Sequence, residues 1–132
     1  MTAVAADITT RDRFLRLAMR ADAVLTGLAG LAALPWAATL ADWSGTTTTI
    51  EYALAAFFIA YGLVVFGLST LPSLRTAGLA VIVANLAYTV AAVVVVATDV
   101  WTMTTVGVVL TLATGVYTAV FAELQYVGWR RL

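Results

Sequence analysis

Four long apolar segments constrain the fold of this chain more than any other feature of its sequence. They fall at about residues 21–40, 50–70, 74–97 and 102–124, and the polar stretches between them are short. A helix of about 20 residues spans the roughly 30 Å hydrocarbon core of a bilayer, whereas strands of a membrane barrel alternate in polarity. The segments therefore predict an all-α fold, a polytopic membrane protein with an antiparallel bundle of four transmembrane helices in one domain.

Composition agrees with a bilayer environment and excludes several kinds of chemistry. Of the 132 residues, 63% are hydrophobic and 11% are charged, whereas soluble domains carry roughly 25% charged residues. The chain has no Cys, His or Lys, which removes thiolate nucleophiles, the usual metal and haem ligands and Schiff-base chemistry. We therefore predict no enzyme activity, no metal and no cofactor. The net charge of zero and the lack of a basic block predict no nucleic-acid partner.

The first 20 residues differ from the rest. Residues 1–10 are predicted to form a flexible tail, and residues 11–20 a short amphipathic helix at the membrane interface. In that helix the apolar side is expected to hold Phe14, Leu17, Ala18 and Ala21, and the opposite side Arg13, Arg16 and Arg20. Two interpretations stay open: the arginines dock a lipid or a partner, or they flank the first span and set its orientation.

The distribution of arginines predicts the orientation of the bundle. In the predicted topology all of them fall on one side, at Arg11, Arg13, Arg16, Arg20, Arg75, Arg130 and Arg131. The positive-inside rule makes that side cytoplasmic. The sequence thus predicts a multi-pass protein of the cytoplasmic (inner) membrane with both termini in the cytoplasm.

Three local signals mark the ends of the spans. Pro35 is expected to kink the first span near its outer end. Thr48 and Glu51 fit a capping box at the start of the second span. Thr98 or Asp99 is expected to cap the fourth span.

Polar residues inside the spans are the candidates for a binding site. Asn85 lies about halfway along the third span, and Tyr88 and Thr89 follow it on the same helical face. Tyr61, Tyr117 and Thr26 lie at similar depth on the other spans. The residues Asn85, Tyr88, Tyr61, Tyr117 and Thr26 are therefore predicted either to line a pocket for a small hydrophobic or amphiphilic ligand, or to join the helices by hydrogen bonds that set their register.

Two carboxylates lie within the spans, Asp22 near the start of the first and Glu123 near the end of the fourth. One interpretation makes Asp22 a proton- or cation-binding group, which it would share with Glu123 if both face the bundle interior. The other makes it the interfacial partner of Arg20, Arg75 or a C-terminal arginine in an ion pair.

Small residues recur at four-residue spacing in Ala23-x-x-x-Gly27, Ala29-x-x-x-Ala33 and Ala56-x-x-x-Ala60. Such stripes let helix backbones approach closely. They predict close packing either within the chain or between two copies in a homodimer.

The stretch Leu15-Arg16-Leu17-Ala18-Met19-Arg20-Ala21-Asp22-Ala23-Val24-Leu25-Thr26-Gly27 resembles the opening of an actinobacterial family of small four-span integral membrane proteins. Asn85 and the pair Leu124-Gln125 are further points of resemblance. The resemblance extends over nearly the whole chain. It implies the same topology and no particular activity.

Taken together, the sequence predicts a non-catalytic membrane protein. It would be an accessory or scaffold subunit of another membrane protein, or a binder of a lipid or small hydrophobic ligand between its helices. The alternative is a small homodimeric transporter or channel that uses an intramembrane carboxylate.

Overall fold

Helices account for all the regular structure in the part of the chain that the structure describes. The structure is a computed structural model, and it describes residues 11–132 in full. Its elements are α1 (Thr2–Ala33), a 3₁₀ turn (Leu34–Trp36), α2 (Ala37–Ser44), α3 (Thr48–Leu68), α4 (Arg75–Thr98) and α5 (Thr105–Arg130). The tail predicted for residues 1–10 lies outside the fully described residues.

Four helical segments are long and apolar enough to cross a membrane. The first combines the described part of α1 with the 3₁₀ turn and α2 over Arg11–Ser44, and the others are α3, α4 and α5. Many of their large apolar side chains are exposed, which suits a lipid environment. The predicted all-helical fold with four helices long and apolar enough to span a membrane is thereby confirmed.

The basic segment at residues 11–20 is not a separate helix, because α1 continues through it into the first span. The face of residues 11–20 that is buried also differs from the predicted apolar face. Leu15 and Met19 are fully buried, whereas Leu17 is 65% exposed. Leu15 packs against Gly78 of α4 and Gly128 of α5, where a Cβ on either glycine would lie 2.8 Å from a Leu15 atom. Contacts with two other spans therefore decide which face of this segment is buried.

Proline and glycine shape the outer end of the first span. Pro35 lies in the 3₁₀ turn between α1 and α2, because a proline cannot donate the backbone hydrogen bond that a continuous helix needs. Gly45 ends α2 in the left-handed conformation, with φ of 74°. A residue with a side chain would be strained there.

Threonines cap the next helices, although at other positions than predicted. Thr47 caps α3, since its hydroxyl accepts from Ile50 N at 3.2 Å. Glu51 does not return to a cap backbone; it accepts from the Thr46 hydroxyl at 2.5 Å.

The connection before α5 also differs from the prediction. Thr104 caps α5 by accepting from Gly107 N at 3.2 Å. Asp99 instead ends α4, with φ of 52°. The prediction was wrong because the chain makes a longer turn between these helices than the apolar pattern indicates.

The spans form two closely packed pairs, α1 with α3 and α4 with α5, and α1 joins them by packing on α5. Small residues permit the α1–α3 contact. A Cβ on Gly62 would lie 2.7 Å from the Ala23 carbonyl oxygen, and one on Gly30 would lie 2.6 Å from the Ala55 carbonyl oxygen. The stripe through Ala23 and Gly27 thus serves packing within the chain.

The other predicted stripes do not mediate these close backbone contacts. Ala56 and Ala60 are both exposed, whereas the neighbouring Ala55 is buried. Ala29 and Ala33 lie on the wall of an internal cavity.

The backbones of α3 and α4 make few close contacts, although these helices are neighbours in the sequence. Aromatic side chains bridge the distance between them. The ring centroid of Tyr88 lies 6.4 Å from that of Phe57 and 6.0 Å from that of Phe58. This arrangement leaves room for a cavity inside the bundle on the α3–α4 side.

Candidate functional site

A single buried carboxylate organises the polar interior of the bundle. Asp22 of α1 is 0% exposed. Its Oδ2 accepts from the Tyr61 hydroxyl at 2.7 Å and from the side-chain amides of Asn85 and Gln125, both at 2.9 Å. Its Oδ1 accepts from the Thr26 hydroxyl at 3.0 Å. Asp22 is therefore bonded to side chains from all three other spans.

The donors around Asp22 are also bonded to one another. Asn85 Nδ2 donates to Gln125 Oε1 at 2.9 Å, which connects α4 to α5. The hydroxyls of Thr26 and Tyr117 lie 2.9 Å apart, which connects α1 to α5. Within the described residues, every buried side-chain nitrogen and oxygen has a partner. A network that is satisfied in this way holds its members in one arrangement.

An apolar cavity of about 580 Å³ lies against this network. Four of the network side chains form its polar end: Thr26, Tyr61, Asn85 and Tyr117. Asp22 does not reach the wall and lies directly behind these four residues. The cavity thus ends on hydroxyls and an amide that are held in place by a buried carboxylate.

The rest of the cavity extends away from Asp22 along the bundle. Its far part includes Ser44, Glu51, Trp101 and Met103, which lie at or beside the two connections predicted to face outward. Between the two ends the wall is mostly apolar, and it includes Tyr88, Phe57 and Phe58 on the α3–α4 side. Cavities of this size and composition are typical of sites for small molecules.

The structure brings all five residues of the predicted pocket to the wall of this cavity, namely Thr26, Tyr61, Asn85, Tyr88 and Tyr117. Four of them also belong to the Asp22 network. The hydroxyl of Tyr88 donates to Thr114 of α5 at 3.0 Å instead. The pocket and the interhelical hydrogen bonds, which the sequence presented as alternatives, occur together. Whether the cavity binds a ligand stays a prediction.

The predicted ion pairs of Asp22 are not formed. Arg20 donates from Nε to the Ser69 hydroxyl at 3.2 Å, and Arg75 lies 5.0 Å from the ring centroid of Trp129. Among residues 11–132 the one salt bridge joins Arg16 to Asp12, at 2.9 Å. Arg20 lies only two residues before Asp22, and side chains so spaced on a helix point in different directions.

Glu123 does not share the interior with Asp22. It is exposed and lies beside apolar residues of α5, including Val120 and Leu124. Gln125, two residues later, is 0% exposed and faces Asp22. The two carboxylates therefore occupy different environments and are not arranged to share a proton. Within the described residues, no three acidic side chains come together in a way that suits a metal.

Gln125 is the network residue whose role the sequence analysis missed. The buried positions Thr118, Ala122 and Gln125 are spaced four and three residues apart on α5, as expected for one helical face. Asp22 was predicted to lie shallowly in the first span, but its direct bond to Asn85 places it at the level of the polar stripe of α4. The helical periodicity of α5 was the available signal, and it was not followed to the end of the span.

Comparison of the chain with protein-family models, with curated proteins and with solved structures gives no match. The resemblance to small four-span membrane proteins of actinobacteria therefore stays a prediction.

Proposed function

We propose that this protein is a non-catalytic integral membrane protein that binds a small hydrophobic or amphiphilic ligand between its helices. The observation that carries the proposal is the cavity of about 580 Å³ with a polar end at the Asp22 network. Ligand pockets typically have volumes of about 300–1,000 Å³, apolar walls and a few placed polar groups. The cavity has all three properties.

The shape of the site suggests how a ligand would lie in it. Its apolar body would pack between α3, α4 and α5, against side chains such as Phe58 and Leu110. Its polar end would meet the hydroxyls of Tyr61 and Tyr117 and the amide of Asn85. Because these groups are held by bonds to Asp22 and its neighbours, they need little ordering when the ligand binds.

Native mass spectrometry of the protein purified gently from its host tests this proposal. We expect a discrete small-molecule or lipid adduct on the wild-type protein. Ala91→Trp fills the cavity from α4, since Ala91 is part of its wall, and should remove the adduct. Ala97→Trp is the matched control, because Ala97 is exposed on the same helix and is not part of the wall. The control should keep the adduct.

Two outcomes would contradict the proposal. Bare protein with no adduct would remove the case for a ligand binder. An adduct that survives Ala91→Trp would show that the bound molecule lies outside the cavity. A second polypeptide in the spectrum, with no small molecule, would favour the accessory-subunit function instead.

A small homodimeric transporter is the second candidate, and the burial of Asp22 is what favours it. Intramembrane carboxylates commonly bind the coupling ion or proton in transporters. Transport also requires the cavity to open alternately to the two sides of the membrane. Uptake of ligand into sealed proteoliposomes that contain only this protein would distinguish a transporter from a binder.

We further propose that both termini are cytoplasmic and that the protein lies in the cytoplasmic membrane. Near one end of the bundle lie the described arginines of α1, the arginine that begins α4 and those that end α5. Two contacts illustrate this: Arg16 donates to the carbonyl of Leu71, and Arg131 lies over the ring of Phe14. A cluster of arginines at one end is the pattern that the positive-inside rule describes.

A further inference from the structure

Asp22 accepts hydrogen bonds from side chains of all four spans. Three donors converge on Oδ2, from Tyr61, Asn85 and Gln125, and Thr26 donates to Oδ1. An ionised carboxylate only accepts, and its two oxygens have about four lone-pair positions, whereas a protonated one must also donate. The amides of Asn85 and Gln125 can only donate, so Oδ2 accepts at least these two bonds, and a carboxylate has acceptor positions for all four.

The described residues place no cation beside this carboxylate. No arginine of residues 11–132 lies within salt-bridge distance of Asp22. Arg20 faces Ser69 and the ring of Phe66, and Arg16 faces Asp12 and the carbonyl of Leu71. A buried charge without a counter-charge is costly, and neutral donors offset only part of that cost.

The cavity offers a place where a cation would be attracted. The Tyr61 hydroxyl commits its proton to Asp22, so that its oxygen lone pairs remain as acceptors. The cavity wall also includes the rings of Tyr61, Tyr88, Tyr117 and Phe58, and aromatic faces attract cations. A positive group that touches the Tyr61 oxygen lies about 5–6 Å from the carboxylate, the sum of the 2.7 Å hydrogen bond and a contact of about 3 Å.

We propose that the ligand of this cavity is a hydrophobic organic cation, whose positive group lies at the polar end and is neutralised by Asp22 through the tyrosine hydroxyls. This inference rests on the proposed ligand-binding function and adds the charge of the ligand. The apolar wall accommodates the body of the ligand. The carboxylate, which has no cation partner, favours a ligand with a positive charge. Neutral and anionic molecules of the same shape lack this attraction.

Two probe ions of nearly equal size test the inference: tetraphenylphosphonium, which is positive, and tetraphenylborate, which is negative. Their dissociation constants are measured by isothermal titration calorimetry in a nonionic detergent, with empty micelles as the blank. The informative quantity is the ratio of the two constants in each variant, because comparison between variants cancels the different partitioning of the ions into detergent. The phenyl groups of the probe keep its phosphorus further from Asp22 than the roughly 5–6 Å of a direct contact. For a charge about 8 Å away at an effective dielectric constant of about 20, we expect Asp22→Asn to reduce the preference for the cation by about tenfold or more.

Glu123→Gln is the matched control. It removes the same charge from α5, but Glu123 is exposed and lies outside the cavity. The preference for the cation should therefore stay at its wild-type value. Ala91→Trp should abolish binding of tetraphenylphosphonium, which would place the probe in the cavity.

The wild-type protein and Ala91→Trp decide the question even where Asp22→Asn fails to fold. After each dissociation constant is corrected for the partitioning of its probe into empty micelles, tetraphenylphosphonium should bind to the wild-type protein more tightly than neutral triphenylphosphine oxide by about tenfold or more. The inference would be overturned if the wild-type protein bound the cation and the neutral probe equally well and Ala91→Trp bound neither. The ligand-binding function would still stand. No binding of any probe would overturn the inference too, while an adduct in the native mass spectrum would still support the proposed function.

Discussion

Gln125 connects α5 to the centre of the polar network, and its environment contrasts with that of Glu123 two residues earlier. The Gln125 amide donates to Asp22 and accepts from Asn85, both at 2.9 Å. Glu123 is exposed beside apolar residues. The two side chains have nearly the same size and shape, and the helical face on which each lies decides whether it reaches the network.

At the residue scale we predict that Gln125→Met lowers the free energy of unfolding by about 2 kcal/mol. The substitution keeps the volume but leaves Asp22 and Asn85 each without one buried partner. Glu123→Met, the control, should leave stability unchanged or raise it, since it removes a charge from an exposed apolar surface. Unfolding of both variants in mixed micelles, titrated with a denaturing detergent, measures the difference. Equal effects of the two substitutions would contradict the assignment of Gln125 to the network.

At the scale of elements, the α1–α3 contact determines the position of the residues around Asp22. Gly62 follows Tyr61 directly and packs against Gly27 and the Ala23 carbonyl. The backbones of α1 and α3 are therefore close at the point where Tyr61 reaches Asp22. Close approach of these helices and the hydrogen bond depend on the same few residues.

We predict that Gly62→Ala destabilises the protein by about 1–3 kcal/mol, because its Cβ would lie 2.7 Å from the Ala23 carbonyl oxygen and the backbones must separate. Gly67→Ala is the control on the same helix, since a Cβ there meets no atom within 4 Å. The control should be neutral or slightly stabilising, as alanine favours the helix over glycine. The same unfolding titration measures both, and a harmless Gly62→Ala would mean that the α1–α3 contact is looser than described.

At the scale of the whole molecule, two helix pairs are joined mainly through α1 and α5, and aromatic side chains bridge α3 and α4. The cavity follows from this arrangement. It occupies the side where the backbones are furthest apart, and its polar end lies where all four spans contribute a side chain. The two ends of the bundle also differ, because the described arginines collect at one of them.

We predict that the connection between α3 and α4 faces the cytoplasm and the one between α4 and α5 faces outward. The chain has no cysteine, so each introduced cysteine is the only thiol. Thr102→Cys and Ser73→Cys place one in each connection, at exposed positions. A membrane-impermeant maleimide should label Thr102→Cys in intact cells, and Ser73→Cys only after the membrane is permeabilised. The reverse pattern would mean that the protein has the opposite orientation.

The sequence by itself determined the membrane environment, the helical class and the number of spans. These properties depend on the length and composition of apolar segments, which need no knowledge of neighbours. It also identified Asn85, Tyr61, Tyr88, Tyr117 and Thr26 as polar groups within the spans, because a polar residue stands out in an apolar segment.

The tertiary structure decided which of these residues meet. The sequence left open whether Asp22 faces the bundle interior or pairs with an arginine at the interface, and the packing of α1 on α3 and α5 turns it towards Tyr61, Asn85 and Gln125. Leu15 rather than Leu17 is buried for a similar reason, since Gly78 and Gly128 leave space for it. The direction of a side chain in a bundle depends on the rotation of its helix against several neighbours. Those contacts join residues far apart in the chain, so they cannot be read from the pattern of a single span.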